Sequence, residues 1–120
     1  MILGVGVDIC QISRVHLDIA RRVLSNDELL IFEAFKTDSR KLEYLAGRFS
    51  VKEAIIKALS GLYNIVGMRE ITILNKENGV PYVVEPVIEN ARLLISISHE
   101  KEYCVGYAII ESNDNYSIQK

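Results

Sequence analysis

Three short segments of this sequence place ionisable side chains where they could act on a phosphate anhydride. Asp8 lies in Gly6-Val7-Asp8-Ile9. Arg48, Lys52, Glu53 and Lys57 share the run Arg48-Phe49-Ser50-Val51-Lys52-Glu53-Ala54-Ile55-Ile56-Lys57-Ala58. His99 closes Ser96-Ile97-Ser98-His99. An acid pair such as Asp8 and Glu53 suits Mg²⁺, which takes few protein carboxylates and fills its shell with water and substrate phosphates. An ionised carboxylate can also accept a proton from an attacking hydroxyl. Lys57, Arg48, Arg40 and Lys52 are the candidate cations for phosphate. Lys57 leads them, since it shares a helix stripe with Glu53. Lysine follows moving oxygens as a point charge, whereas arginine fixes a planar geometry. Each residue also has a plain structural explanation. Asp8 could cap or solvate a strand end, and Glu53–Lys57 could be an i,i+4 pair worth a few tenths of a kcal/mol. The cations could form a solvated helix face. Ser96 and Ser98 share one strand face and His99 takes the other, so that strand alone does not gather all three.

The elements that must hold these groups are legible in outline. Ile2 to Ile9 reads as a strand, rich in β-branched residues, with Gly4 and Gly6 leaving one face bare for close packing. Val15, Ile19 and Val23 predict a helix over 14–24, capped by Ser13, with Arg14, Arg21 and Arg22 on its solvated side. Ser25 and Glu28 are spaced as a capping box for a helix over 26–36. The longest helix is expected over 39–60, capped by Ser39 and ended by Gly61, with Gly47 marking close approach of another backbone. On it, Ser50, Glu53, Lys57 and Ser60 form a narrow stripe that reads as the floor of a cleft. The rest of that helix is apolar and needs cover. Strands are expected over 70–74, 82–84, 93–98 and 103–111. The first two are joined by a hairpin turn with Gly79 at positive φ. Pro86 opens a short helical or irregular turn, and residues from Ser112 onward are polar and expected to fray. The reading is an α+β domain over 1–112 with a polar tail over 113–120.

Composition narrows the class. The 120 residues suit one domain. A net charge of −2 argues against general nucleic-acid binding, which needs a concentrated positive field. The two cysteines, Cys10 and Cys104, sit in apolar runs and read as small buried thiols. No secretion signal is read at the N-terminus, and no apolar run approaches the roughly 20 residues of a spanning helix. The expectation is a cytoplasmic protein without a membrane anchor.

These residues could form a divalent-metal and phosphate site, and they do not name a substrate. Gly-Val-Asp-Ile at 6–9, Gly-Arg-Phe-Ser-Val-Lys-Glu-Ala-Ile-Ile-Lys-Ala at 47–58, Gly-Val-Pro at 79–81 and Ser-Ile-Ser-His at 96–99 resemble the holo-acyl-carrier-protein synthases. These are the small bacterial 4′-phosphopantetheinyl transferases. The resemblance covers nearly the whole chain, with motifs in family order, and the central motif is the most specific. It implies the family fold: antiparallel strands packed on a long central helix and shorter N-terminal helices. It implies transfer of 4′-phosphopantetheine from coenzyme A to a serine of apo acyl carrier protein, releasing 3′,5′-ADP. By the same resemblance Asp8 and Glu53 hold Mg²⁺ and Lys57 contacts a phosphate. Arg40, Arg48 and His99 lie around the nucleotide end, and Gly79 through Pro81 shape the adenine side. Arg14, with Arg21 or Arg22, would meet the acidic carrier protein. The acceptor of the serine proton stays open between Glu53 and water.

Two departures from the family pattern stand out. The segment 61–67 lacks the Gly-Thr-Gly start common in relatives, and Val80 stands where relatives often carry lysine. Two other readings share parts of the pattern. One is another small Mg-dependent phosphoryl or nucleotidyl transferase, although no Gly-rich P-loop is present. The other is a non-catalytic module that docks an acidic partner on Arg14, Arg21 and Arg22. The last expectation is assembly. The strand over 103–111 is apolar on both faces and needs cover on both. The family resemblance implies a homotrimer with shared active sites.

Overall fold

A glycine-lined strand under a long helix organises this protein. The computed structural model describes residues 1–113. β1 (Ile2–Gln11), β4 (Ala91–His99) and β5 (Tyr103–Ser112) form an antiparallel sheet in the order β1-β5-β4. In its register Asp8 faces Gly106, Cys10 faces Cys104 and His99 also faces Cys104. β2 (Thr72–Asn75) and β3 (Pro81–Glu85) pair as a separate antiparallel hairpin. The α+β class and the strand-on-helix arrangement are as expected.

The long helix α3 (Asp38–Leu59) lies across the inner face of the three-stranded sheet. It comes unusually close because the strands have no side chains there. A Cβ on Gly6 would lie 1.9 Å from the Ala54 carbonyl oxygen, and one on Gly106 would lie 2.4 Å from Val51 Cα. Small residues on both partners therefore fix the helix against β1 in one register. The core around this contact holds Val51, Ala54, Ile55, Ala58, Leu59, Ile71, Ile73, Ala108 and Ile110. Among the described residues the opposite sheet face has no cover. Val5, Val7 and Ile9 on β1 are each more than half exposed, with Leu94 and Tyr107 beside them.

The N-terminal region departs from the expected 14–24 helix. It contains 3₁₀ turns at Ile12–Arg14 and Leu17–Ile19, then the short helix α1 (Ala20–Val23). Val15 and His16 are extended and break the run. A β-branched residue at the break and too few residues to offset helix nucleation account for this. α2 spans Asn26–Ala34, and the Ser25 backbone N–H donates to Glu28 at 2.9 Å as its capping box requires. Thr37, not Ser39, caps α3: its hydroxyl accepts from the Arg40 N–H at 3.2 Å. Gly79 takes φ +89° in the hairpin turn, as expected. Ser112 and Asn113 are not frayed: their N–H groups donate to Met1 and Asn90 carbonyls, each at 2.8 Å. The rest of the expected tail, 114–120, lies outside the described residues. Among the described residues no helix is long and apolar enough to cross a membrane.

Candidate active site

The close fit of α3 on β1 brings Lys57 to Asp8. Lys57 Nζ donates to the Val7 carbonyl at 3.0 Å and to Asp8 Oδ1 at 3.3 Å. Asp8 points to the helix side of the sheet and keeps 20% of its side-chain surface exposed, while Lys57 keeps 54%. Glu53 sits one turn before Lys57 on α3 and is half-buried. Asp8 and the solvent-reaching Lys57 ammonium thus meet at the α3–β1 seam, with Glu53 one turn earlier on the Lys57 side of α3. The donor set fits Mg²⁺, which needs only one or two protein carboxylates beside substrate phosphates and water. Among the described residues there is no group of three or more His, Cys, Asp or Glu side chains to hold a metal. A wholly protein-built cage is therefore not what this seam offers.

A second cluster forms on the other side of α3. Arg40, Tyr44 and Arg48 from α3 join Ile31 and Phe35, Asn75 of β2 and His99 of β4 around a cavity of about 290 Å³. The Arg48 guanidinium lies 4.4 Å over the Tyr44 ring, and that of Arg40 lies 4.9 Å over Phe35. Gly47 leaves room for His99: a Cβ there would meet His99 Nε2 at 2.7 Å. The cavity combines two guanidinium groups and aromatic faces, which can hold a phosphorylated nucleoside, with the Glu43 carboxylate 4.0 Å from Arg40. Burial pushes the Tyr44 hydroxyl up to about 12, opposed by the Arg48 charge.

One chain does not bring these two clusters together. Arg48 and Lys57 are nine residues apart, about 14 Å along the helix and half a turn round it. Their contacts agree: Lys57 turns to β1, and Arg48 turns to Ile73 and Asn75 on β2.

Two expectations on α3 are corrected. Lys52 is no phosphate-binding cation, because its side chain is fully buried. Its three N–H bonds go to Glu28 Oε1 (2.5 Å), the Val23 carbonyl (2.7 Å) and the Met68 carbonyl (3.1 Å). Burial pulls the ammonium down from its ordinary value, and the Glu28 carboxylate pushes back. The polar stripe is also shorter than expected. Ser50 is buried, with its hydroxyl donating to the Gly47 carbonyl at 3.3 Å, so only Glu53, Lys57 and Ser60 can line a cleft.

The basic residues near the N-terminus do not share one helix. Arg14 ends a 3₁₀ turn beside a cavity of about 240 Å³ lined by Ile9, Val15, Ile19 and Phe49. Arg21 and Arg22 follow on α1. Arg21 lies 3.7 Å from Glu33, which offsets part of its charge. Cys10 and Cys104 are buried free thiols, as expected.

Comparison with known proteins finds relatives over nearly the whole chain. Residues 4–110 match the family model of the 4′-phosphopantetheinyl transferase superfamily. The chain belongs to this superfamily. It is 38% identical to a holo-[acyl-carrier-protein] synthase of Petrotoga mobilis, over 95% of this chain and all of that protein. It is 40% identical to the synthase of Anoxybacillus flavithermus, over 92% and 97% of the two chains. Among solved structures, the Bacillus anthracis holo-(acyl-carrier-protein) synthase in complex with CoA (3′,5′-ADP) superposes with a TM-score of 0.83 at 34% identity. That match covers 93% of this chain and 98% of the other. The Thermotoga maritima synthase gives 0.80 at 32% identity, over 93% and 65%.

Within this family member, sequence reasoning missed several residues of the candidate site. Nothing in the sequence pattern singled out Phe35, Tyr44 or Asn75. Glu28 was legible as a cap but not as the buried partner of Lys52. Its pairing joins residues 24 apart and leaves no local pattern.

Proposed function

We propose that this protein transfers 4′-phosphopantetheine from coenzyme A to a serine of apo acyl carrier protein. Its place is the cytoplasmic supply of holo carrier protein for fatty-acid synthesis. The observation that carries the reading is the full-length likeness to holo-acyl-carrier-protein synthases, including one solved with CoA (3′,5′-ADP). In the reaction the serine oxygen bonds to the β-phosphorus of coenzyme A. The bond from that phosphorus to the bridging oxygen breaks, 3′,5′-ADP leaves, and the serine proton is lost.

The residue roles are those the family resemblance implies, and the placement of the side chains supports them. Asp8 and Glu53 would hold Mg²⁺ at the α3–β1 seam. When bound, the ion offsets charge on the diphosphate. Lys57, already held at Val7 and Asp8, supplies a mobile cation for the transferred phosphoryl group. Arg40, Arg48 and His99 take the nucleotide end, and the Gly79-Val80-Pro81 turn flanks the adenine side. Arg14, Arg21 and Arg22 attract the acidic carrier protein. Residues 1–112 act as one domain.

The working unit is a homotrimer with shared sites. Two features support this. The acid pair and the nucleotide cavity lie on opposite sides of α3, so neighbouring copies are needed to complete one site. The outer sheet face of Val5, Val7 and Ile9 is apolar and exposed, and closed cyclic symmetry would bury it equally in every copy. Light scattering should therefore give three times the chain mass, and Val7→Lys should dissociate the assembly and abolish transfer. A monomeric wild type with full activity would sink the shared site. The reaction itself is tested by release of 3′,5′-ADP from coenzyme A. Release should require both Mg²⁺ and apo acyl carrier protein, and release without the carrier protein would contradict the proposal.

A further inference from the structure

Asn75 joins two parts of the candidate site that are far apart in sequence. Its side-chain oxygen accepts from Arg48 Nη2 at 2.7 Å, and its side-chain nitrogen donates to the Gly79 carbonyl at 2.8 Å. The Ile73 carbonyl takes a second bond from Arg48 Nη2 at 3.1 Å. That nitrogen is therefore fully used, and the guanidinium plane is fixed against the Tyr44 ring. The two bonds also fix the amide orientation, since the reverse would set an NH₂ group against the guanidinium. At the other end, the turn is closed by Gly79 N–H to the Lys76 carbonyl (2.8 Å) and Lys76 N–H to the Val80 carbonyl (2.9 Å).

We infer that Asn75 is a positioning residue. It holds the Arg48 guanidinium and the 76–81 turn in one frame, so that both meet the 3′,5′-ADP part of coenzyme A together. The inference rests on reading the Arg40–Arg48–His99 cavity as the nucleotide end of the site. A short side chain that both accepts and donates is what the bridge needs. Aspartate loses the donor and leucine loses both bonds. Asn75 itself is exposed at the end of β2, so its loss opens no core cavity.

The test combines calorimetric binding of 3′,5′-ADP and coenzyme A with steady-state kinetics in a double-mutant cycle. Wild type, Asn75→Ala, Arg48→Lys and the double variant are compared. Asn75→Ala should weaken 3′,5′-ADP binding and raise the coenzyme A KM about tenfold, the loss expected for a hydrogen bond to a charged group. Its kcat and carrier-protein KM should stay within about twofold, because only binding of the nucleotide end changes. In the Arg48→Lys background, where the fork is gone, adding Asn75→Ala should change binding less than about twofold. Equal binding by wild type and Asn75→Ala would overturn the inference, as would a melting shift with no change in KM. A tenfold loss in both backgrounds would make Asn75 an independent contact and equally overturn it. Failure of wild type to bind either ligand would instead overturn the reading of the cavity, and the inference with it.

Discussion

The Lys52 ammonium lies 2.5 Å from the Glu28 carboxylate, and neither side chain reaches solvent. Glu28 also accepts from the Ser25 and Ile73 backbone N–H groups at 2.9 and 2.8 Å. This pair ties α2, α3 and β2 together behind the Arg40–Arg48–His99 cavity, with Arg48 Nε 4.0 Å from the same carboxylate. Removing one partner leaves the other charge buried. Lys52→Met and Glu28→Gln should each lower stability by about 3–5 kcal/mol, and the double variant by less than the sum. Urea unfolding at one fixed protein concentration checks this. Single-variant losses below about 1 kcal/mol would show that the pair is not what holds these elements.

The contact of β1 with α3 makes a sharper steric prediction. Gly6→Ala drives a methyl group into the Ala54 carbonyl, whereas nothing lies within 4 Å of a Cβ on Gly67. Gly6→Ala should cost at least ~2 kcal/mol and most of the transferase activity, since Asp8 and Lys57 are aligned through this contact. Gly67→Ala should be close to neutral. Thermal unfolding of the two variants in parallel is the check, and equal melting temperatures would refute the packing argument.

Much of the fold was legible because its signals are local. β-branched runs marked the strands, and good helix formers ended by Gly61 marked α3, although its cap is Thr37 and not Ser39. Gly47 was expected to admit another backbone, but the close neighbour is the His99 side chain. What was hidden depends on tertiary partners. Lys52 looks like any solvated helix cation until Glu28 is folded over it. Arg48 and Lys57 look like one basic surface until their contacts place them on opposite sides of α3. Val15 and His16 broke a helical pattern that spacing alone supported.

Tyr44 predicts a pH dependence. Its hydroxyl is raised from 10.0 to about 12 in the folded protein by burial, so the folded state holds a proton that the unfolded chain loses first. The associated stability is complete below pH 10 and is lost as the pH rises toward 12. Tyr44→Phe should flatten the fall in stability across that window. Identical slopes for wild type and Tyr44→Phe would rule out the assignment.

Arg14 has no ion-pair partner among the described contacts, whereas Arg21 lies against Glu33. Arg14→Ala should raise the carrier-protein KM about threefold to tenfold at low salt, with weaker salt dependence and an unchanged coenzyme A KM. Arg21→Ala should have the smaller effect. Steady-state kinetics over a salt series checks both. Unchanged carrier-protein kinetics in the double variant would reduce these residues to a solvated surface.

The most direct measurement is the intact mass of apo acyl carrier protein after incubation with this protein, coenzyme A and Mg²⁺. Wild type should add one 4′-phosphopantetheine unit to each carrier protein. Asp8→Asn and Glu53→Gln, both at polar positions of the α3–β1 seam, should remain folded and add almost none. No mass gain with wild type would contradict the transfer reaction. Full gain with both variants at low Mg²⁺ would contradict the roles of Asp8 and Glu53.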